Sequence, residues 1–317
     1  MRLLITRRLP DAALAAADAR FDVTLRDRTD PLSPDELRRA LTDFDLVLPT
    51  LGDRFSAAVF ADVPAPRARL LANFGVGINH IDVAAARAAG VAVTNTPGAV
   101  TEATADIALT LILMTARRAG EGERMLRAGG WTGWHPTQLL GLHLGGKTVG
   151  IIGMGRIGKA IARRCVLGLG MAAVFFNRSP VADDPGVPAR QVALAEALAA
   201  DVVVLAVPAT PETRHLIDAA ALARMKPEAI LVNIARGDIV DEAALVAALS
   251  EGRIAGAGLD VYEEEPKVNP ALLTMQNVTL LPHLGTAALE VRTAMGLMAV
   301  GNLVAFAEDR PLPNAVN

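Results

Sequence analysis

Short apolar runs alternate with helical patterns along the whole chain. In the first hundred residues the apolar runs are Leu3–Thr6, Phe21–Leu25, Leu46–Pro49, Leu70–Phe74 and Val91–Thr94. Strands that alternate with helices are typical of parallel sheets built from βαβ units. The pattern therefore predicts a first α/β unit over about the first hundred residues.

A second series of strands follows a long helical pattern that begins at Thr101 and runs to about Gly120. Its apolar runs are Thr148–Ile152, Ala173–Phe176, Val202–Ala206, Ile230–Asn233, Gly256–Asp260 and Val278–Leu281. Six such strands with intervening helices match the doubly wound dinucleotide-binding fold. A last helical pattern, from about Thr286 to Ala307, comes too late for this sheet, and we expect it to return to the first unit.

The predicted fold is α/β, with two Rossmann-like domains that each contain a doubly wound parallel sheet. One domain is inserted in the other. The discontinuous outer domain, which we predict to bind the substrate, comprises residues 1–98 and 286–317, and the inserted domain comprises residues 99–285.

A G-x-G-x-x-G pattern lies between the predicted strand at 148–152 and the next helix, and it includes Gly153, Gly155 and Gly158. The first glycine permits a tight turn, the second lets the backbone approach a pyrophosphate, and the third lets helix and strand pack closely. An ordinary tight turn could contain the same glycines, but the strand before them and the helix after them favour dinucleotide binding. We therefore predict cofactor contacts at these glycines and at Arg156 and Ile157.

The end of the second strand of this domain indicates which dinucleotide is bound. An acidic residue here would accept a hydrogen bond from the ribose 2′-OH of NAD, but the segment is Asn177-Arg178-Ser179. An arginine can bind a 2′-phosphate through its planar fork, and a serine hydroxyl can add a further contact. We predict that NADP(H) is preferred; the alternative is that Arg178 is a solvated loop residue and NAD(H) is used.

Three polar groups follow later strands of the inserted domain: Arg236, the acidic run Glu263–Glu265, and His283. Arginine suits a carboxylate because its fork binds both oxygens. A carboxylate beside a histidine favours the imidazolium and fixes its orientation, as general acid catalysis requires. Each group alone has an ordinary structural interpretation, but together at one sheet edge they predict a catalytic site.

Composition excludes several classes of protein. The chain has 317 residues, of which 52% are hydrophobic and 21% charged, and its net charge is −3, so it has no basic field for nucleic acid. A single cysteine, Cys165, rules out an intrachain disulfide. The apolar helical stretch Ile107–Ala116 is too short to cross a bilayer. We therefore expect a soluble, cytoplasmic protein that binds no membrane.

Seven stretches together resemble one known family in their order and spacing: Gly75–Asp82, Asn95–Gly98, Thr104–Asp106, Gly150–Gly158, Asn233–Gly237, Leu259–Pro266 and Pro282–Gly285. The family is that of the D-isomer-specific 2-hydroxyacid dehydrogenases, and the resemblance extends over essentially the whole chain. It implies an enzyme that transfers a hydride between NAD(P)H and a small 2-oxo acid or D-2-hydroxy acid. No metal is expected in this chemistry.

The resemblance also implies a role for individual residues. Arg236 would hold the substrate carboxylate and carbonyl, His283 would exchange the proton, and Glu265 would pair with His283. The backbone N–H groups of Val76 and Gly77 would bind the substrate carboxylate. Further cofactor contacts are expected at Thr104, Val207, Pro208, Thr213, Ile234, Ala235, Arg236, Asp260, His283 and Gly285.

Two segments, Leu48–Arg54 and Asn177–Ser179, are most similar to those of NADPH-dependent glyoxylate and hydroxypyruvate reductases. We therefore predict reduction of glyoxylate or hydroxypyruvate, with Leu51 in the wall of the substrate pocket. One alternative is another NAD-dependent D-2-hydroxyacid dehydrogenase, of the D-lactate or phosphoglycerate type. A second alternative is a nucleotide-sensing binding protein without a catalytic role.

Both tryptophans, Trp131 and Trp134, lie in one loop of a chain that is poor in aromatic residues. In the family that the chain resembles, this loop lies between subunits. The resemblance therefore implies a homodimer with Trp134 near the partner's substrate site. The alternative is that the tryptophans pack on the helix that begins at Thr101.

Overall fold

The structure is a computed structural model that describes residues 1–182 and 184–317. The chain folds into two compact units. Unit 1 comprises Met1–Val100 and Thr286–Asn317, and unit 2 comprises Thr101–Gly285. Substrate binding by the outer domain and cofactor binding by the inserted domain stay predictions.

Unit 1 is built on a parallel sheet. Its strands are β1 (Arg2–Ile5), β2 (Asp22–Leu25), β3 (Leu46–Leu48), β4 (Leu70–Ala72) and β5 (Ala92–Thr94), in the spatial order β2-β1-β3-β4-β5. Its first helices are α1 (Asp11–Asp18), α2 (Pro34–Asp43), α3 (Ala57–Asp62) and α4 (Val83–Ala88). Successive strand residues face opposite sides, so Leu3 and Ile5 pack towards α1 while Leu4 packs towards α2, α3 and α4. Helices therefore cover both faces of the sheet.

Unit 2 is built on a second parallel sheet. Its strands are β6 (Thr148–Ile152), β7 (Ala172–Phe176), β8 (Ala189–Gln191), β9 (Val202–Leu205), β10 (Ile230–Asn233), β11 (Gly256–Leu259) and β12 (Val278–Leu280). Its helices are α5 (Thr101–Ala116), α6 (Ala119–Arg127), α7 (Arg156–Arg163), α8 (Leu194–Leu198), α9 (Ala219–Leu222), α10 (Glu242–Ser250) and α11 (Pro270–Thr274). The strand order is β12-β11-β10-β9-β6-β7-β8, which confirms the Rossmann-like fold. The carboxyl ends of β10, β11 and β12 therefore lie side by side at one edge.

Two sequence predictions for unit 2 are wrong in detail. The sheet of the described chain has a further strand, β8, which the pattern missed because its sequence, Ala-Arg-Gln, carries no apolar run. The helix predicted from Thr101 to about Gly120 is two helices, since Arg118 has a left-handed backbone with φ 52°. The carbonyl of Ala116 instead accepts a hydrogen bond of 2.7 Å from the N–H of Leu142, which ends α5.

The last helix, α12 (Leu289–Ala307), packs in the core of unit 1. Its length of 19 residues and its mean hydropathy of 1.3 would by themselves suffice to cross a membrane, unlike the shorter stretch 107–116. Its residues Ala299, Val300 and Leu303 pack against the same sheet face as α1. A core helix of a folded unit meets the same criteria, so α12 is not assigned to a membrane.

Candidate active site

The glycine-rich loop follows β6 in a conformation that two of its glycines require. Gly153 has φ 103°, and a Cβ atom there would lie 2.7 Å from the carbonyl oxygen of Ala206. A Cβ atom at Gly158, in the first turn of α7, would lie 2.1 Å from the carbonyl oxygen of Gly153. Any larger residue at either position would displace backbone, so both glycines are needed to form the turn and the helix start.

The middle glycine of the loop differs from the other two. A Cβ atom at Gly155 would have nothing within 4 Å, so the backbone borders open space directly before α7. Asn177, at the end of β7, accepts a hydrogen bond of 2.9 Å from the N–H of Met154 and so ties the loop to that strand. An exposed backbone with free space at a helix start fits a dinucleotide pyrophosphate.

Arg236 lies in a tight turn after β10 that Asn233 organises. The Asn233 side chain accepts from the N–H of Ala235 at 3.0 Å and donates to the carbonyl of Arg236 at 2.8 Å. Burial lowers the pKa of Arg236, while the carboxylates of Glu265 and Asp238 counteract this effect. An arginine keeps its charge under such a shift. The turn therefore presents a half-buried, charged guanidinium at the end of β10.

Asp260 follows β11 and shapes the segment that follows β12. Its side-chain oxygens accept from the N–H groups of Leu284 at 2.6 Å and Gly285 at 2.8 Å, and its carbonyl accepts from the N–H of His283 at 2.9 Å. Burial raises the pKa of Asp260, and these N–H groups and the neighbouring His283 counteract the shift. Asp260 thereby fixes the backbone of His283, whose φ is 54°.

Glu265 and His283 form a direct pair. The Nδ1 atom of His283 lies 2.8 Å from Oε2 of Glu265, while Oε1 accepts from the N–H of Tyr262 at 3.1 Å. Burial acts to raise the pKa of Glu265. The pKa is nevertheless below its usual value, because Glu265 accepts hydrogen bonds from His283 and from the N–H of Tyr262 and is attracted by the charges of His283 and Arg236. An ionised Glu265 therefore fixes the ring and leaves Nε2, on its other side, to face a reactant.

Comparison with known proteins identifies the family of the chain. A model of the NAD-binding domain of D-isomer specific 2-hydroxyacid dehydrogenases matches residues 109–285. A glyoxylate reductase of Pyrococcus furiosus is 42% identical over 322 residues, which cover 100% of this chain and 95% of the relative. The chain belongs to the D-isomer-specific 2-hydroxyacid dehydrogenase family. It is therefore an NAD(P)-dependent oxidoreductase that acts on a CH–OH group, and its substrate is a small-molecule acid.

Solved structures of the same fold agree with this assignment. A Thermus thermophilus protein superposes with a TM-score of 0.92 at 42% sequence identity, with 100% of both chains covered. An NADPH-dependent glyoxylate/hydroxypyruvate reductase of Sinorhizobium meliloti, solved with NADP and malonate, has a TM-score of 0.86 at 36% identity and covers 99% of this chain and 96% of its own.

Other residues that the family pattern assigns to the cofactor follow strands of unit 2 or contact a residue that does. Thr104 donates a hydrogen bond of 3.1 Å to the carbonyl of Gly285, and Thr213 donates one of 2.8 Å to the carbonyl of Pro208. Ile234 and Ala235 lie in the turn before Arg236 and are buried. Val207 follows β9 and is half-buried. Their cofactor contacts stay predictions.

Arg178 and Ser179 are exposed at the end of β7. The Gln191 side chain of β8 donates to the carbonyl of Ser179 at 3.1 Å and so supports this segment. A hydrogen bond from Thr210, together with the charge of Arg178, lowers the pKa of Glu212. Arg178 therefore lies near the loop after β9.

The substrate residues predicted in unit 1 lie in two loops. Leu51, in the loop after β3, is 39% exposed, and Val76, in the loop after β4, is also 39% exposed. Gly77 follows Val76 and is half-buried. Exposed apolar side chains after the carboxyl ends of parallel strands are available to a ligand, which is consistent with the predicted roles.

A second histidine–glutamate pair was not found by the sequence analysis. The Nε2 atom of His215 lies 2.7 Å from Oε1 of Glu263, and Arg214 contacts the same oxygen at 3.3 Å. Glu242 accepts a hydrogen bond of 2.7 Å from the N–H of Glu263. The acidic run 263–265 is evident in the sequence, but nothing there connects it to a histidine 48 positions before Glu263.

Unit 2 also has a cavity of about 600 Å³ that is remote from these residues. It is lined by Ile230, Ala255 and Asn277, which begin or precede β10, β11 and β12. It therefore lies at the amino ends of the strands, whereas Arg236 and His283 follow their carboxyl ends. The cavity contributes nothing to the candidate active site.

Proposed function

We propose that the protein is a glyoxylate/hydroxypyruvate reductase that prefers NADPH. The observation that carries the proposal is the cluster of Arg236, Glu265 and His283 at the carboxyl ends of three neighbouring strands. Relatives named glyoxylate reductase at about 42% identity over the full chain support the choice of substrate.

The chemistry of the cluster suits reduction of a 2-oxo acid. When bound, the nicotinamide cofactor supplies the hydride that reduces C2 of the substrate. Arg236 binds the substrate carboxylate and carbonyl oxygen and offsets the negative charge that develops on that oxygen. His283 donates a proton from Nε2 to the oxygen, which becomes the hydroxyl, and Glu265 stabilises the protonated ring before the transfer.

We assign the recognition of the small acid in unit 1 to backbone and apolar groups. The N–H groups of Val76 and Gly77 bind the carboxylate, and Leu51 lies beside the substituent on C2. If so, Leu51→Trp lowers kcat/KM for hydroxypyruvate more than for glyoxylate, because glyoxylate has only hydrogen in that place. An unchanged ratio of the two values would contradict the assignment of Leu51.

We assign the preference for NADPH to Arg178 and Ser179. A guanidinium at this position attracts a 2′-phosphate, and no carboxylate lies in the segment to repel it. Arg178→Asp is expected to lower kcat/KM for NADPH at least tenfold relative to NADH. Arg190→Asp, a change at another exposed arginine of unit 2, serves as the control.

The test of the proposed function is a panel of initial rates for glyoxylate, hydroxypyruvate, pyruvate and phosphohydroxypyruvate, each with NADPH and with NADH. The highest kcat/KM is expected for glyoxylate or hydroxypyruvate with NADPH. Turnover chiefly of pyruvate or phosphohydroxypyruvate with NADH would instead identify another D-2-hydroxyacid dehydrogenase. Nucleotide binding without turnover would indicate a nucleotide-sensing protein.

We also propose that the protein is a cytoplasmic homodimer. Leu126, Trp131, Trp134 and Leu140 are 61%, 52%, 79% and 66% exposed, which is unusual for large apolar side chains so close together in sequence. A second copy that covers this surface would bury them, with Trp134 near the partner's substrate site. Equilibrium sedimentation at micromolar concentration is expected to give a dimer, and a monomer would contradict the proposal.

A further inference from the structure

Asn73 lies directly after β4, is fully buried, and contacts the loop whose N–H groups we assign to the substrate carboxylate. Its amide nitrogen donates to the carbonyl of Gly75 and to the carbonyl of Gly77, each at 3.0 Å. Its amide oxygen lies 2.9 Å from Nε2 of His80, which is also buried. Asn73 therefore uses both its donors and its acceptor within this one loop.

These contacts permit one arrangement of donors and acceptors. Carbonyl oxygens only accept, so the NH2 group of Asn73 must face Gly75 and Gly77. The amide oxygen then faces His80, which must donate from Nε2. The contact with His80 thus supports the orientation of the Asn73 amide that the two carbonyls require.

Two asparagines hold three successive carbonyls of the loop. Asn73 binds the carbonyls of Gly75 and Gly77, while the side chain of Asn95 donates to the carbonyl of Val76 at 3.0 Å. In a trans peptide the N–H points opposite to the carbonyl of the preceding residue. Holding these carbonyls therefore fixes the directions of the N–H groups of Val76, Gly77 and Ile78.

The fixed N–H groups are not used by the fold. Over residues 1–182 and 184–317, the backbone N–H groups of Val76, Gly77 and Ile78 have no acceptor in the protein. Val76 is also partly exposed. Backbone donors that are held in place and left for a ligand are typical of anion-binding loops.

We infer that Asn73, held by His80, is a positioning residue for the substrate carboxylate. Its bond to the carbonyl of Gly75 sets the N–H of Val76, and its bond to the carbonyl of Gly77 restrains the other side of the residue whose N–H Asn95 sets. This inference rests on the proposed function, since it assigns those N–H groups to the acid. Donors that are already oriented need no rearrangement when the anion binds, which strengthens binding. Loss of Asn73 should therefore weaken binding of the acid and leave binding of the nucleotide unchanged.

Asn73→Leu tests the inference, because leucine has a similar volume but no hydrogen-bonding group. KM for glyoxylate is expected to rise at least tenfold, while KM for NADPH stays within twofold of the wild-type value. Asn302→Leu is the matched control: Asn302 is also buried in unit 1, but it donates to the backbone carbonyl of Asn95 and to Asn314, each at 3.4 Å, and to none of the carbonyls of residues 75–77. This control is expected to keep KM for glyoxylate near the wild-type value even if its melting temperature falls.

A second measurement does not depend on turnover. Oxalate, an unreactive small dicarboxylate, is expected to slow amide hydrogen exchange in the segment 74–80 of the wild-type protein and of Asn302→Leu, but not of Asn73→Leu. His80→Gln, which can still donate to Asn73, is expected to keep more of this protection than His80→Leu. If Asn73→Leu does not fold, the two His80 variants test whether the contact between His80 and Asn73 is needed for protection of the segment 74–80.

The possible results separate the two proposals. Protection by oxalate that Asn73→Leu abolishes supports the inference even if the wild-type protein does not reduce glyoxylate, in which case only the proposed function fails. Equal protection in the wild-type protein and Asn73→Leu, or none in the wild-type protein, overturns the inference. Equal protection in His80→Gln and His80→Leu overturns the part assigned to His80.

Discussion

Two histidines of unit 2 each contact a glutamate from the short segment that follows β11. The distance from His283 to Glu265 is 2.8 Å and that from His215 to Glu263 is 2.7 Å. Both histidines have a left-handed backbone, with φ 54° for His283 and φ 50° for His215. By distance and backbone conformation alone, the two pairs could not be told apart.

The atoms and charges around the two pairs differ. His283 contacts its glutamate through Nδ1, which leaves Nε2 for a substrate, whereas His215 uses Nε2 itself. Glu265 is influenced by the charge of Arg236, but Glu263 shares one oxygen between His215 and the exposed Arg214. The ring nitrogen that contacts the glutamate and the burial of the neighbouring arginine, rather than a short contact, therefore distinguish the proposed proton donor from the structural pair.

Replacement of His283 should lower kcat far more than replacement of His215. His283→Ala is expected to lower kcat for glyoxylate reduction about a thousandfold, because general acid catalysis contributes effects of this order. His215→Ala should change kcat by less than about tenfold, since we assign it only a structural contact. Steady-state kinetics of the two variants at neutral pH compares them. A loss of kcat in His215→Ala as large as that in His283→Ala would break the distinction.

The two arginines beside the pairs allow a second comparison. Arg236→Lys is expected to lower kcat/KM for glyoxylate by about a hundredfold, because lysine cannot replace a planar fork that binds a carboxylate through two hydrogen bonds. Arg214→Lys, at an exposed arginine, should stay within about twofold. Initial rates at low glyoxylate concentration measure both. If Arg236→Lys retains the wild-type value, the substrate is held by another group.

The smallest expected effect is that of Glu242→Gln on the melting temperature. Burial, together with the charges of Glu263, Glu264 and Glu265, raises the pKa of Glu242 in the folded protein. A carboxyl group with a raised pKa in the folded state contributes stability below its unfolded pKa and loses that contribution as the pH rises through the folded value. The melting temperature of Glu242→Gln relative to wild type should therefore rise as the pH is raised above about pH 4.3, the usual pKa of an unfolded glutamate. A difference that falls as the pH rises would contradict this sign.

Much of the fold could be predicted because apolar periodicity reports burial. The strands β6 and β10 follow continuous apolar runs, and both occupy the interior of the sheet of unit 2. The position of the candidate catalytic residues could also be predicted, since Arg236 and His283 lie shortly after the apolar strands β10 and β12, but their roles stay predictions. An edge strand such as β8 forms through backbone pairing with β7 and leaves no apolar pattern to find.

The supporting contacts could not be predicted because they join positions that are distant in sequence. Glu263 and His215 are 48 residues apart, and only the strand order brings them together. The break between α5 and α6 depends on a hydrogen bond from Leu142 to Ala116, which local helix propensity does not reveal. Asn73 lies close to the matching stretch 75–82, but its role follows only from the two carbonyls that it binds.

The pH dependence of kcat/KM for glyoxylate reduction tests the difference between the pairs most directly, when Glu265→Gln is compared with Glu263→Gln. The carboxylate of Glu265 contacts Nδ1 of His283 at 2.8 Å and offsets the charge of the ring that donates the proton. Glu265→Gln should therefore move the alkaline fall in kcat/KM to lower pH, while Glu263→Gln leaves it in place. An unmoved profile in Glu265→Gln, or an equal shift in Glu263→Gln, would contradict the assignment of His283 and Glu265 as the proton-donating pair.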